Sequence, residues 1–457
     1  MKIKKTSFLL LFIIIISGFS LLFLENDVKN TNLKNPILPN LSSLESEWYR
    51  TWGGSGIDNC SGIVVDTSDN LYLVGSTASY GNGGFDICLV KYNNSGSYLW
   101  NRTWGGIEND YGHATLLDSL GNIYIVGHTE SFGSGGVDMC LLKFNSTGSL
   151  LWNRTWGGSN DDHAFSIAID MTSNIYLAGD TYIGRGGRVY DYDIALVKYN
   201  ASGDYKWNYT WGDDRKDTAY GIAVDSLNDI YLTGVSKNFP SLYSNGDMSL
   251  IKYSDGGSGW HITWNGSFKD VGYAIDFDSL GNIFFVGTAD CPQGGICGPN
   301  NTVFPSAIIN KYDKSGNFIR NNILWYQYAG YHAFTIDQTN NMYIAGFTNQ
   351  SGDIDMLMVM YNNNTNFWLQ FNKTWGGQGY DIANGIALDS SGSLYVVGTT
   401  ESYGAGSSDM VLVKLIFIKS IPSQPQPFIS GYNLLVLLGV LFAIVIIIKK
   451  KMEKSQK

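Results

Sequence analysis

Short apolar runs broken by polar punctuation recur along most of this chain, and their spacing is that of strands. Ile123-Tyr-Ile-Val126 typifies them: four residues, β-branched or aromatic, bounded by Gly, Asn and Asp. Such a run is apolar at consecutive positions and so reads as a strand buried on both faces, whereas a sheet with one wet face would alternate. The run belongs to a larger unit, complete between Leu99 and Lys143. Trp100-Asn-Arg-Thr-Trp104-Gly-Gly106 is followed by Ala114-Thr-Leu-Leu-Asp118, then by Gly121-Asn-Ile-Tyr-Ile-Val-Gly127, then by Asp138-Met-Cys-Leu-Leu-Lys-Phe144. Between the phrases, Asp118-Ser-Leu-Gly-Asn122 and Asn145-Ser-Thr-Gly148 read as tight hairpins, with Gly free to take positive φ.

The four phrases recur in the same order from about residue 48 to residue 418. The second Trp falls at Trp52, Trp104, Trp156, Trp211, Trp264 and Trp375, with Tyr328 expected to stand in for it between the last two. The second phrase ends at Asp66, Asp118, Asp170, Asp225, Asp278, Asp337 and Asp389, and the third at Gly75, Gly127, Gly179, Gly234, Gly287, Gly346 and Gly398. A repeat of fifty-odd residues exceeds a solenoid coil and matches one four-stranded propeller blade. Seven units of four strands predict an all-β, seven-bladed β-propeller of antiparallel blades.

These phrases resemble the SBBP-type seven-bladed β-propeller repeat of bacterial and archaeal exported proteins, over residues 46 to 418. The resemblance implies the fold and offers no shared catalytic residues. Because the chain opens on a Trp phrase and ends on a fourth phrase, the strand at 47–54 is expected to complete the last blade as its outer strand. That arrangement leaves no open sheet edge between the ends.

The termini carry different signals. Residues 1–24 combine a basic start with an apolar run and read as a signal peptide or anchor, followed by a spacer over 25–45. A Pro-rich linker (419–427) precedes 428–448, an apolar stretch long enough to span a membrane as a helix, and 449–457 is a basic tail. This tail resembles archaeal C-terminal sorting tails, and it predicts a propeller outside the cell, held to the cell membrane. The formal net charge is −10, but the basic ends hide −17 on the remainder, which disfavours nucleic acid as a partner. Sequons recur beside the Trp phrase at Asn101, Asn153, Asn208 and Asn372, and read as glycosylation positions on an outer strand. Cys60, Cys88 and Cys140 fall in apolar strands as buried thiols, while Cys291 and Cys297 bracket an insertion and are candidates for a local disulfide.

Candidate chemistry is sparse. Tyr182, Arg185, Arg188, Tyr190 and Tyr192 cluster in one long loop between second and third strands, and Tyr and Arg commonly anchor recognition surfaces. One Asp follows each Trp phrase at Asp58, Asp110, Asp161 or Asp162, Asp217, Asp270 and Asp381. These could form a Ca²⁺-binding rim or cap their own turns. Otherwise no cofactor is expected. His113 and His332 share an inner-strand position where other units place Ser, Phe, Tyr or Asn, and His128, His163 and His261 read as scattered. No phosphate loop, zinc motif or GxSxG phrase is present. The expected function is non-enzymatic: binding of protein or glycan at the cell surface through upper-face loops. A polysaccharide lyase or hydrolase is the alternative.

Overall fold

The protein is described here by a computed structural model over residues 41–185, 191–213, 215–236, 246–254, 259–264, 269–290, 305–324, 328–349, 352–362 and 368–419. One compact unit runs from Leu44 to Phe417, and a second comprises Met1–Ser43 with Ile418–Lys457. The expected signal segment, linker beyond Lys419, spanning helix and basic tail lie outside the described residues, as do Cys291 and Cys297. Among the described residues no helix is long and apolar enough to cross a membrane.

Among the described residues twenty-eight strands, β1 to β28 in chain order, form seven four-stranded antiparallel sheets. The second blade shows the plan: β6 (Asp110–Leu117), β7 (Ile123–Thr129), β8 (Asp138–Phe144) and β9 (Leu150–Trp156) pair in that order. In each of β7 and β8 every residue but one is buried, while β9 leaves at least alternate side chains in water. The continuous apolar runs are therefore the middle strands of stacked blades. The seventh blade runs β26 (Asp381–Leu388), β27 (Leu394–Thr400), β28 (Asp409–Lys419) and then β1 (Leu41–Trp52), so the first of the described strands is the outer strand of the last blade. β1 begins at Leu41, earlier than the phrase starting at Glu47, because Leu44 joins Val411, Val413 and Leu415 in the core.

Seven hydrophobic clusters fill the seven junctions between neighbouring blades. Tyr72, Val74, Ile87 and Leu89 of the first blade meet Ile123, Ile125, Cys140 and Leu142 of the second. The junction between the last blade and the first is filled in the same way, by Tyr395, Val397, Met410 and Leu412 against Cys60, Leu71, Leu73 and Cys88. The ring is closed. Cys60, Cys88 and Cys140 are buried free thiols, and burial pushes the Cys60 thiol up to about 12.

At the outer edge, Arg50, Arg102 and Arg154 stack on Trp48, Trp100 and Trp152 and donate Nε to the carbonyl of Gly96, Gly148 and Gly203 in the next blade's hairpin, at 2.7–2.9 Å. The fifth blade departs from this plan. In β21 (Phe318–Leu324) it is Leu324 that faces Ala307, the station that Trp156 takes opposite Met139. Leu324, and not Tyr328, therefore replaces the second Trp. Tyr328 instead lies beyond the strand, in the turn, with φ of 63°.

Antiparallel alternation gives the ring two faces. The upper face carries the connections from each outer strand to the next inner strand and those between second and third strands. The lower face carries the Asp-initiated turns, in which Asp118 Oδ1 accepts from the amides of Leu120 and Asn122.

Candidate functional site

The inner strands position the axis. In each of the seven the pairing register slips by one residue, and the supernumerary residue is Ser61, His113, Phe165, Tyr220, Tyr273, His332 or Asn384. A bulged residue is released from the ladder and re-aimed. All seven line one axial cavity of about 520 Å³. They also touch around the ring. His113 meets Phe165 at 5.2 Å between centroids, Phe165 meets Tyr220 at 5.1 Å, Tyr220 meets Tyr273 at 5.5 Å and Tyr273 meets His332 at 5.0 Å. His332 Nδ1 lies 3.1 Å from Asn384 Oδ1, and Asn384 Nδ2 donates to the Cys60 carbonyl at 2.9 Å. Burial holds His113, His332 and Tyr220 of the ring toward their neutral forms. Burial, helped by nearby His163, lowers His113 to about 4, burial also lowers His332, and burial with neighbouring Tyr273 and Asp180 raises Tyr220 to about 12.

Two residues above the bulge sits a second tier, and here the blades differ sharply. Blades two to four gather titratable groups. His113 Nε2 is 3.0 Å from His128 Nδ1, and the rings of His128 and His163 stand edge to face at 4.9 Å. His163 Nδ1 is 2.8 Å from Oδ1 of the fully buried Asp180, whose Oδ2 accepts from Thr218 at 2.8 Å and lies 3.4 Å from Lys216 Nζ. Burial, together with His113 and His163, pushes His128 well below the usual imidazole range. Blades five to seven place Val271, Thr288, Gly330, Phe347, Ile382 and Thr399 at the matching pairs. The mouth is polar on one side and mainly apolar on the other.

His128 and His163, which read as scattered in the sequence, are thus brought together with His113. Register supplies the reason: His128 pairs with Tyr111 and His163 with Asp180, two residues above each bulge. The signal available in the sequence was the column after the third-phrase Gly, which reads Ser76, His128, Asp180, Val235, Thr288, Phe347 and Thr399.

Of the expected loop cluster, Tyr192 joins this site. Its ring lies 5.9 Å from His163 and 5.3 Å from Tyr182, Lys216 Nζ sits 4.8 Å above it, and burial beside Asp161 raises it to about 12. Arg185 turns instead to the scaffold, forking onto Asp193 and donating to the Asp213 carbonyl at 2.6 Å. Arg188 and Tyr190 lie outside the described residues.

The rim carboxylates are bound to their own loops. Asp110 accepts from the Gly106 amide and Ser131 Oγ at 2.8 Å and from Thr129, and Asp58, Asp162, Asp217 and Asp381 likewise accept a loop amide. Among the described residues no group of three or more His, Cys, Asp or Glu is disposed to hold a metal ion. Of the sequon residues, Asn153, Asn208 and Asn372 are exposed, and half-buried Asn101 donates to Tyr98 Oη at 3.0 Å.

Repeat, bulge and axial ring are the features to set beside known proteins. Three stretches match a described propeller repeat. Residues 47–82, 211–240 and 374–404 match the SBBP beta-propeller repeat. The chain is 27% identical over 189 residues to the regulatory protein FlaEY of Caulobacter vibrioides, a match covering 34% of this chain and 20% of that protein. It is 22% identical over 225 residues to the uncharacterized WD repeat-containing protein L264 of Acanthamoeba polyphaga mimivirus, covering 44% and 16%. The matches thus span a fifth or less of these relatives' length. Among solved structures, Chaetomium thermophilum Raptor is similar with a TM-score of 0.49 at 6% identity, over 83% of this chain and 29% of that one. YCF48 bound to D1 peptide is similar with a TM-score of 0.45 at 11% identity, over 84% and 99%.

Proposed function

We propose that this SBBP-type propeller is a recognition module, displayed at the cell surface, that takes a protein or glycan partner on its upper axial mouth. One observation carries the reading: seven bulged side chains floor a cavity of about 520 Å³, and a His, Asp, Lys and Tyr cluster crowds one side of its entrance. A concave, largely aromatic floor with a few convergent polar groups is the usual form of a binding pocket. Exposed Ile57, Tyr80, Ile107, Phe132 and Tyr380 on blades seven, one and two extend the surface with the apolar anchors that protein interfaces favour. In this reading residues 1–24 direct export, residues 428–448 hold the chain in the membrane, and Asn153, Asn208 and Asn372 carry glycans away from the mouth. No cofactor enters.

The test is capture of envelope proteins and glycans by the detergent-solubilised full chain, with and without EDTA. His163→Ala and Tyr192→Ala are expected to weaken capture at least tenfold with the melting midpoint held and EDTA without effect. Capture that survives both substitutions places the partner elsewhere.

A second reading, a polysaccharide-cleaving enzyme, is favoured by the His163–Asp180 pair alone. A buried carboxylate holding one imidazole nitrogen fixes the ring so that the other can act as a base. Release of new chain ends from an envelope polysaccharide, lost in His163→Ala, establishes that reading; no release across acidic and neutral polysaccharides removes it.

A further inference from the structure

The lower face presents an arrangement that recognition at the upper mouth does not use. Each inner strand ends in an Asp-initiated turn, and its tip normally carries Ser or Thr, as at Ser68, Thr339 and Ser391. Three blades break that rule: Leu120, Leu227 and Leu280 occupy the tips of blades two, four and five, and they are 84, 78 and 79% exposed. Blade three keeps Thr172 at the tip but sets Met171, 80% exposed, one residue earlier in the same turn. A single exposed Leu is ordinary, but exposed apolar side chains on four neighbouring turns of one face concentrate apolar surface as interaction sites do. The tips are rigid. Asp118, Asp170, Asp225 and Asp278 each accept two amides of their own turn, so the apolar side chains are held outward and cannot fold back onto the blade.

The strand directions say which way this face looks. β28 starts at the upper rim with Asp409, and Leu415 pairs with Leu394 beside the lower turn of blade seven, so the chain leaves the ring on the lower side. β1 reaches the upper rim at Trp52, where Gly53 lies against Asp409, so it too enters from the lower side. Both ends of the ring therefore leave it on the side of these tips, and in the sequence the two most apolar stretches, 8–24 and 428–448, lie beyond those ends.

We propose that the lower face seats on a lipid bilayer, with Leu120, Met171, Leu227 and Leu280 inserted among the headgroups, so that the axial mouth points away from the membrane. The inference rests on the membrane-anchored reading above and adds the face, the residues and the orientation. Four apolar side chains on rigid turns suit shallow interfacial insertion. The acidic propeller favours a neutral surface over an anionic one.

The test uses the full chain reconstituted in phosphatidylcholine vesicles, with an environment-sensitive fluorophore on Leu227→Cys or Leu280→Cys, and on Ser391→Cys as the control, in a background with Cys291 and Cys297 replaced by Ser. Quenching by a lipid-borne nitroxide relative to an aqueous quencher is expected to be at least threefold higher at 227 and 280 than at 391, and to fall when anionic lipid is added. Equal ratios at the three positions in chains that float with the vesicles overturn the seating and leave the anchor standing. Chains that fail to float overturn both. Shielding of 227 and 280 that persists in lipid-free detergent and grows with protein concentration assigns the lower face to a second copy of the chain and also overturns the proposal.

Discussion

His113 shows how one side chain can be set by its place in the ring. It is supernumerary to its ladder, packed on Phe165, bonded to His128, and lowered to about 4 by burial with His163 near. The unfolded chain takes up a proton near the ordinary value of 6.5, whereas the folded ring refuses it until about 4. Between those values the unfolded state binds more protons, so stability falls as the pH drops, by up to about 1.4 kcal/mol per pH unit for each such histidine. His113→Gln is expected to flatten this slope, measured as urea midpoints at pH 7, 5.5 and 4.5; an unchanged slope excludes His113 as its source. Glycine matters at the same scale. A Cβ on Gly105 would stand 2.2 Å from Asp86 Oδ1 and 2.6 Å from Asp110 Oδ2, which is why the Trp phrase closes on Gly between two buried carboxylates. In the sequence that Gly and those Asp residues are visible as columns. Their mutual contact is not, because it joins three phrases across a blade junction.

At the scale of elements, the outer strands latch one blade to the next. Arg102 lies 5.0 Å over Trp100 and donates Nε to Gly148 O at 2.9 Å, combining a stacked plane with a directed bond. Lys offers neither the plane nor the fork. Arg102→Lys is therefore expected to cost about 1 kcal/mol, read as a lower denaturant midpoint with the slope unchanged; no change in midpoint means the latch is decorative. Strand identity was legible in the sequence because the four phrases repeat with their punctuation intact. The shared inner position of His113 and His332 was legible for the same reason. What the pattern hid was register. Leu324 takes the outer-strand station expected for Tyr328, and His128 and His163 converge only once the second strand of one blade lies beside the inner strand of the next.

For the whole molecule, closure rests on β1 pairing with β28 and on the cluster between blades seven and one. Ion pairs from Lys414 to Glu47 at 3.0 Å and from Lys373 to Glu45 at 2.9 Å add to the seam. Removing residues 1–52 strips the last blade of its outer strand and exposes the edge of β28, an invitation to pair with another chain. The shortened protein is expected to melt lower and elute as oligomers in size-exclusion chromatography, while a monomer with the full-length midpoint would show the seam to be dispensable. The export segment and the spanning stretch belong to the sequence reading alone, since they lie outside the described residues. One feature of the ring reaches beyond this chain. Because each axial residue is extra to its strand's hydrogen-bonding ladder, exchanging it alters the chemistry of the cavity while the pairing that builds the blade stays as it was. Evolution, or a protein engineer, can therefore write seven letters at the centre as an independent word, and variety at Ser61, His113, Phe165, Tyr220, Tyr273, His332 and Asn384 is what such freedom produces.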